Sequence, residues 1–178
     1  LEATAACCDA SAAVPVEIGV LTRAGFLRRT SFGADEELEF SHSLIRDSIR
    51  ELVEASDEAR IRTALLTVSR EPRFVDALDP QTVAEHAMAV GDLRRAFECF
   101  TTAGDAARGR FARDAAIACY LNAREAAREL EWTHEVGRAE LALAYELYRE
   151  ERYGEANEIW SAVFAQSGRT EYEPPQRT

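Results

Sequence analysis

The spacing of hydrophobic positions changes along this chain, and each change marks an element. Residues 1–13 read as a helix rich in small residues that ends before Pro15. From Val16 to Leu27, Ile18, Leu21 and Leu27 recur as on one helical face, with Gly25 in "TRAGFL" as the predicted stop. "FLRRTSF" and "ELEFS" then flank the turn "GADE", where Gly33 takes a backbone conformation that β-branched residues resist, so a hairpin is predicted. Leu38 and Phe40 alternate with Glu37, Glu39 and Ser41 as in a half-buried strand. Immediately afterwards Leu44, Ile45, Ile49, Leu52 and Val53 recur at helical spacing. Ser41 is the predicted N-cap, which puts His42 within a residue of a helix start.

Beyond about residue 57 strand signals vanish and alanine becomes abundant. "DEARIRTALLTVSRE" presents Ile61, Leu65 and Val68 on one face. "ALDPQTVAEHAMAV" opens with Asp79 as N-cap and Pro80 at the first helical position. Gly91 and Asp92 are the predicted stop and restart, and a break that short allows only an antiparallel hairpin, which buries Leu93, Ala96, Phe97, Phe100 and Ala103.

A small–aromatic–small pattern recurs at Ala96, Phe100 and Ala103, at Ala116, Tyr120 and Ala123, and at Ala156, Trp160 and Val163. Small residues let helices approach while the aromatic fills the gap to the next pair, so the pattern encodes stacked hairpins. Leu143, Ala144 and Leu147 supply first-helix positions before the third instance. The instances are unevenly spaced, at twenty and then forty residues, as in a divergent array.

The predicted fold is mainly α: a partial winged-helix unit with a small β-hairpin (residues 1–56), then tetratricopeptide-like antiparallel helical hairpins forming an α-solenoid (57–166), then a polar tail (167–178).

Composition narrows the chemistry. With 178 residues, 47% of them hydrophobic and 30% charged, the chain can bury a sizeable core. Its apolar runs are too short to span a membrane, no secretory leader is visible, and a cytoplasmic location is expected. The only methionine is Met88, so the chain reads as a piece of something longer. All 21 basic residues are arginine; without lysine there is no P-loop, no Schiff base and no S-x-x-K acylation site. A net charge of −11 opposes the counterion-release attraction of nucleic acid, and Arg23, Arg28 and Arg29 read as a solvated face. Cys7, Cys8, Cys99 and Cys119 lack C-x-x-C spacing and read as small hydrophobes, with no metal site. His86 and His134 are lone histidines on predicted helices and read as core or surface residues. No nucleophile motif or ligand spacing marks an enzyme.

Taken together, "LTRAGFLRR", "LEFSHSLIRDSIREL", "VAEHAMAVGDLRRAFECFTTAGDAA" and "DAAIACYLNAREAA" resemble the middle of large ATP-binding transcriptional regulators of the LuxR type, related to MalT, over roughly Val16 to Phe164. The most telling parts are F-x-H-x-L-I-R-[DE] at Phe40 to Asp47 and A-x-H-x-x-x-x-G-D at Ala84 to Asp92. The resemblance implies a P-loop domain before the winged helix and a helix-turn-helix DNA-binding domain after the repeats, neither of which is present in this sequence. Ser41, His42 and Ser43 also look like the methionine–histidine–aspartate element of signal-transducing ATPases, in which the histidine touches the β-phosphate of bound ADP; only the histidine matches. On that resemblance His42 is a candidate nucleotide sensor, its ATP or ADP held by another domain, and no cofactor is bound by this piece alone.

A helix start attracts phosphate, and its positive end favours a neutral imidazole that can donate one hydrogen bond. The functional expectation is a regulatory and sensor region. Its repeats take an effector or protein partner and allow self-association as a homodimer, and its winged helix relays the change to the parent's nucleotide- and DNA-binding domains. This piece itself touches neither nucleic acid nor membrane. The alternative is a free-standing tetratricopeptide-like interaction adaptor, which needs only the residues from about 57 onward.

Overall fold

A computed structural model describes residues 13–32, 35–72 and 78–166. The expected small-residue helix before Pro15, the conformation of Gly33 and the polar tail lie largely or wholly outside these residues. Contacts divide the chain into two units, Leu1–Leu78 and Asp79–Thr178.

The first unit begins with α1 (Ala13–Arg23), which carries Pro15 in its first turn, a place where a missing N–H costs nothing. Gly25 ends it at φ +79°: its N–H donates to the Thr22 carbonyl (3.1 Å) and that of Phe26 to the Leu21 carbonyl (3.0 Å). These are the paired bonds of a Schellman stop. Leu27, expected on the helical face, instead opens β1 (Leu27–Phe32), because the chain has already reversed at Gly25. β1 pairs antiparallel with β2 (Asp35–Phe40) from Leu27↔Phe40 to Phe32↔Asp35. Arg28 and Glu39 face each other with Nη2–Oε2 at 2.8 Å, an exposed cross-strand pair that favours this register.

Ser41 still belongs to the hairpin, its N–H donating to the Phe26 carbonyl at 3.0 Å. The N-cap of α2 (Ser43–Leu52) is therefore His42, not Ser41. In α3 (Ala55–Val68), which clusters with this first unit, the buried residues are Leu66 and Val68, while Ile61 is exposed.

The second unit is a succession of antiparallel helices: α4 (Pro80–Ala89), α5 (Leu93–Gly109), α6 (Arg113–Glu129), α7 (Thr133–Arg149) and α8 (Tyr153–Gln166). Asp79 caps α4, its carboxylate accepting from the Thr82 N–H at 3.1 Å with Pro80 at the first position. Every later link has three residues, and its middle residue has positive φ: Gly91 (+78°), Phe111 (+60°), Glu131 (+56°) and Glu151 (+63°). At each link the same two bonds close the preceding helix; around Glu131, its own N–H donates to Arg128 O (3.0 Å) and that of Trp132 to Ala127 O (2.9 Å).

These turns fall twenty residues apart, and so do the buried positions. Ala87, Ala107, Ala127 and Leu147 form one series; Phe100, Tyr120, Glu140 and Trp160 form another. The uneven spacing expected from sequence is in fact constant. The missing instance is Val136, Glu140 and Leu143, hidden because an acid occupies the aromatic slot. Glu140 is 7% exposed and accepts from Arg128 Nη2 at 2.7 Å. A hairpin thus occupies forty residues, against about 34 in a tetratricopeptide unit.

Each helix packs on its sequence neighbour, and side chains also reach the helix two before. Phe97 on α5 meets the Trp132 ring edge-on at 6.1 Å, and the Cys119 thiol on α6 lies 3.8 Å from Gln81 Oε1 on α4. Alanine at the closest positions permits this double layer. Gly104 is the extreme case, since a Cβ there would lie 2.7 Å from Cε1 of the buried Tyr120 ring.

Candidate functional site

His42 sits where the sequence placed it, between the hairpin and α2, with extended backbone (φ −141°, ψ 139°). Its side chain is exposed and makes no capping bond, while its carbonyl accepts from the N–H groups of Ile45 (3.2 Å) and Arg46 (3.4 Å). The imidazole is thus not packed under the wing. The first amides of α2 lack intrahelical partners, as at any helix start, and no side chain covers them from the cap. What this corner offers chemically is one imidazole beside one partial positive charge, enough to contact a phosphate but not to cradle it.

Next to it, Leu21, Phe26, Leu44, Ile45 and Ile49 line an apolar hollow of about 440 Å³ with Ser48. Leu44 and Ile49 belong to the stripe that predicted α2, and no residue of α2 is buried.

The second unit holds a different arrangement, which the sequence did not signal. Two clefts adjoin along α5 and α7. One of about 430 Å³ is lined by Arg94, Phe97, Glu98, Trp132, Glu135 and Arg138. The other, of about 290 Å³, shares Phe97 and Arg138 and adds Asp105, Arg108, Tyr120 and Leu141 among others. Both ends are electrostatically satisfied. Arg94 pairs with Glu98 (3.2 Å) and lies over the Trp132 ring (5.8 Å to the centroid); Arg108 pairs with Asp105 (2.8 Å) and lies over Tyr120 (6.0 Å). The Tyr120 hydroxyl donates to Asp105 Oδ1 at 2.7 Å; burial and this acceptor push its ionisation far above the ordinary phenol range. Arg138 is exposed and lines both clefts, and Glu135, one turn before it on α7, lines the first cleft with it.

The remaining sequence candidates fall elsewhere. His86 is half-buried on α4, and His134 is exposed on α7 with Nδ1 3.6 Å from Glu135 Oε1. Cys119 is buried and Cys99 half-buried, and burial raises the pKa of both thiols. Among the described residues no group of three or more His, Cys, Asp or Glu side chains is placed to hold a metal ion, and no helix is long and apolar enough to cross a membrane.

No protein-family model matches this chain, and neither a characterised protein nor a solved structure shows significant similarity to it.

Proposed function

We propose that this chain is the relay and sensor region of a large ATP-dependent regulator of the LuxR, MalT-like type, with helical repeats for an effector or protein partner and a wing-bearing unit that passes the signal on. The observation that supports this most directly is an order: a two-stranded hairpin ending at Phe40, an exposed histidine opening the next helix, and a uniform array of helical pairs following in the same chain. A twenty-residue helical period suits a sensor. Each helix contacts near neighbours only, so a small shift at one interface is repeated along the stack.

In this reading His42 gives one hydrogen bond to a nucleotide phosphate held by the parent's own ATP-binding domain. A bond to a charged group contributes about 1.5–3 kcal/mol, and conformational switches are poised by a few kcal/mol, so one contact is enough to bias the state. The test is ADP release from the parent protein. His42→Ala is expected to speed release about tenfold or more, at about 1.4 kcal/mol per factor of ten; unchanged release reduces His42 to a structural cap.

The adaptor reading draws on the division after Leu78, which leaves the helical array as a unit of its own. It requires a partner to be captured equally well by residues 79–166 and by the whole chain. The relay reading requires the wing unit to alter that capture.

A further inference from the structure

We propose that the helical array opens at the contact between α6 and α7, and that the buried Glu146 carboxylate makes this contact its weakest joint. The inference concerns the array in itself and stands whichever partner the array takes. Glu146 is 0% exposed, a state that acids almost never adopt without a partner. Neither of its oxygens has a hydrogen-bond donor. Arg149 Nη1, one turn further along α7, lies 3.9 Å from Oε2, beyond bonding reach, and its guanidinium lies over the rings of Phe111 and Tyr145, 5.8 Å from each. Twenty residues earlier the same place holds Ala126, equally buried. The repeat itself therefore does not call for an acid here.

After burial and Asp105, the charge of Glu146 also opposes ionisation of Tyr120 on α6, which places the carboxylate against that helix. Other buried polar groups of the array are satisfied: the Tyr120 hydroxyl by Asp105 and the Glu140 carboxylate by Arg128, each at 2.7 Å. Among the described residues of the second unit, the buried side-chain atoms without a hydrogen-bond partner are Arg113 Nε, Arg124 Nε and the two Glu146 oxygens. All of them belong to α6 and α7. Arg113 illustrates the shortfall, since its Nη1 reaches Glu150 on α7 at 3.1 Å while its Nε has no acceptor. A carboxylate without donors is held less well in such a contact than in water, so parting α6 from α7 restores hydration that the other contacts do not withhold. Elements that move are drawn from the least stable part of a fold. Beyond the joint, α7 with α8 falls below the size of about 40 residues at which a chain stays folded unaided, so one opening releases both helices.

The test is native-state hydrogen exchange on the intact chain. The amides of α7 and α8 are expected to share one opening, about tenfold or more frequent than the opening that reaches α5 and α6. Glu146→Met keeps side-chain length and helix propensity while removing the charge. Protection in α7 and α8 is then expected to rise about tenfold or more, as when a buried ionic group gives way to a well-packed apolar one. Glu146→Gln preserves the shape and is expected to act in the same direction by a smaller factor, which keeps the test open should methionine overpack the contact. The proposal is overturned by equal protection from α5 to α8, or by faster exchange confined to α8, which is fraying of the last helix. It is overturned equally if both variants lower protection or leave it unchanged, because the carboxylate is then already satisfied by water or by Arg149.

Discussion

Helices α2 and α6 carry equally legible apolar faces and meet opposite fates. In α6, Ala116, Ile117, Cys119, Tyr120, Ala123, Ala126 and Ala127 are all buried. In α2, Leu44 is 78% and Leu52 81% exposed, and nothing is buried. Amphipathicity states a demand for a partner, and the difference lies in where the partner is encoded. The repeats supply theirs every twenty residues, as the next helix with small residues at the contact. The apolar face of α2 has no such recurrence to meet it.

The strongest way to test this contrast is Tyr120→Ala. Tyr120 is 1% exposed, belongs to the cluster with Ile117, Leu143 and Trp160, and anchors Asp105 through its hydroxyl. Truncating a buried aromatic costs about 3–5 kcal/mol. Both tryptophans, Trp132 and Trp160, lie in the second unit, so their fluorescence during denaturation follows that unit alone. A loss below about 1 kcal/mol, the range of ordinary surface and boundary changes, contradicts the tight packing ascribed to the array.

Gly104→Ala follows in size. Alanine ordinarily gains about 1 kcal/mol over glycine inside a helix, but here its Cβ would meet three atoms of the Tyr120 ring at 2.7–3.0 Å. Overpacking of this kind costs about 1–3 kcal/mol, so a net destabilisation is expected. Gly109→Ala in the same helix meets nothing within 4 Å and is expected to be neutral or slightly stabilising. Equal effects at the two glycines in the fluorescence-monitored midpoint would show that the ring yields and that helix spacing is not set by residue size.

How much of this was legible depends on whether the signal was local. Gly25, Gly91 with Asp92, and Asp79 with Pro80 were legible because each signal is local: glycine where φ turns positive, an aspartate that caps the next helix, and a proline whose fixed φ suits a first turn. Phe111, Glu131 and Glu151 adopt the same left-handed turn without glycine, at a cost of about 1–2 kcal/mol each in intrinsic preference. They carry no local mark, and the twenty-residue period stayed half hidden behind them and behind Glu140. His42 was placed by the change from strand to helical spacing, but its role as N-cap depends on Ser41 being held by Phe26, a contact fifteen residues away. The clefts along α5 and α7 were invisible because their walls come from segments about forty residues apart.

The smallest expected effect is also the most discriminating. Leu44→Gln and Leu52→Gln keep nearly the same helix propensity, since leucine and glutamine differ little. They remove apolar surface that the structure leaves in water, and surface changes of this kind lie within about 0.5 kcal/mol. Hydrogen exchange of the α2 amides is therefore expected to change less than about threefold in the intact chain, since about 1.4 kcal/mol corresponds to tenfold. A tenfold or greater loss of protection would mean that the face of α2 is covered in solution after all. The distinction between the two units would then be one of when the partner arrives, not of whether it is encoded.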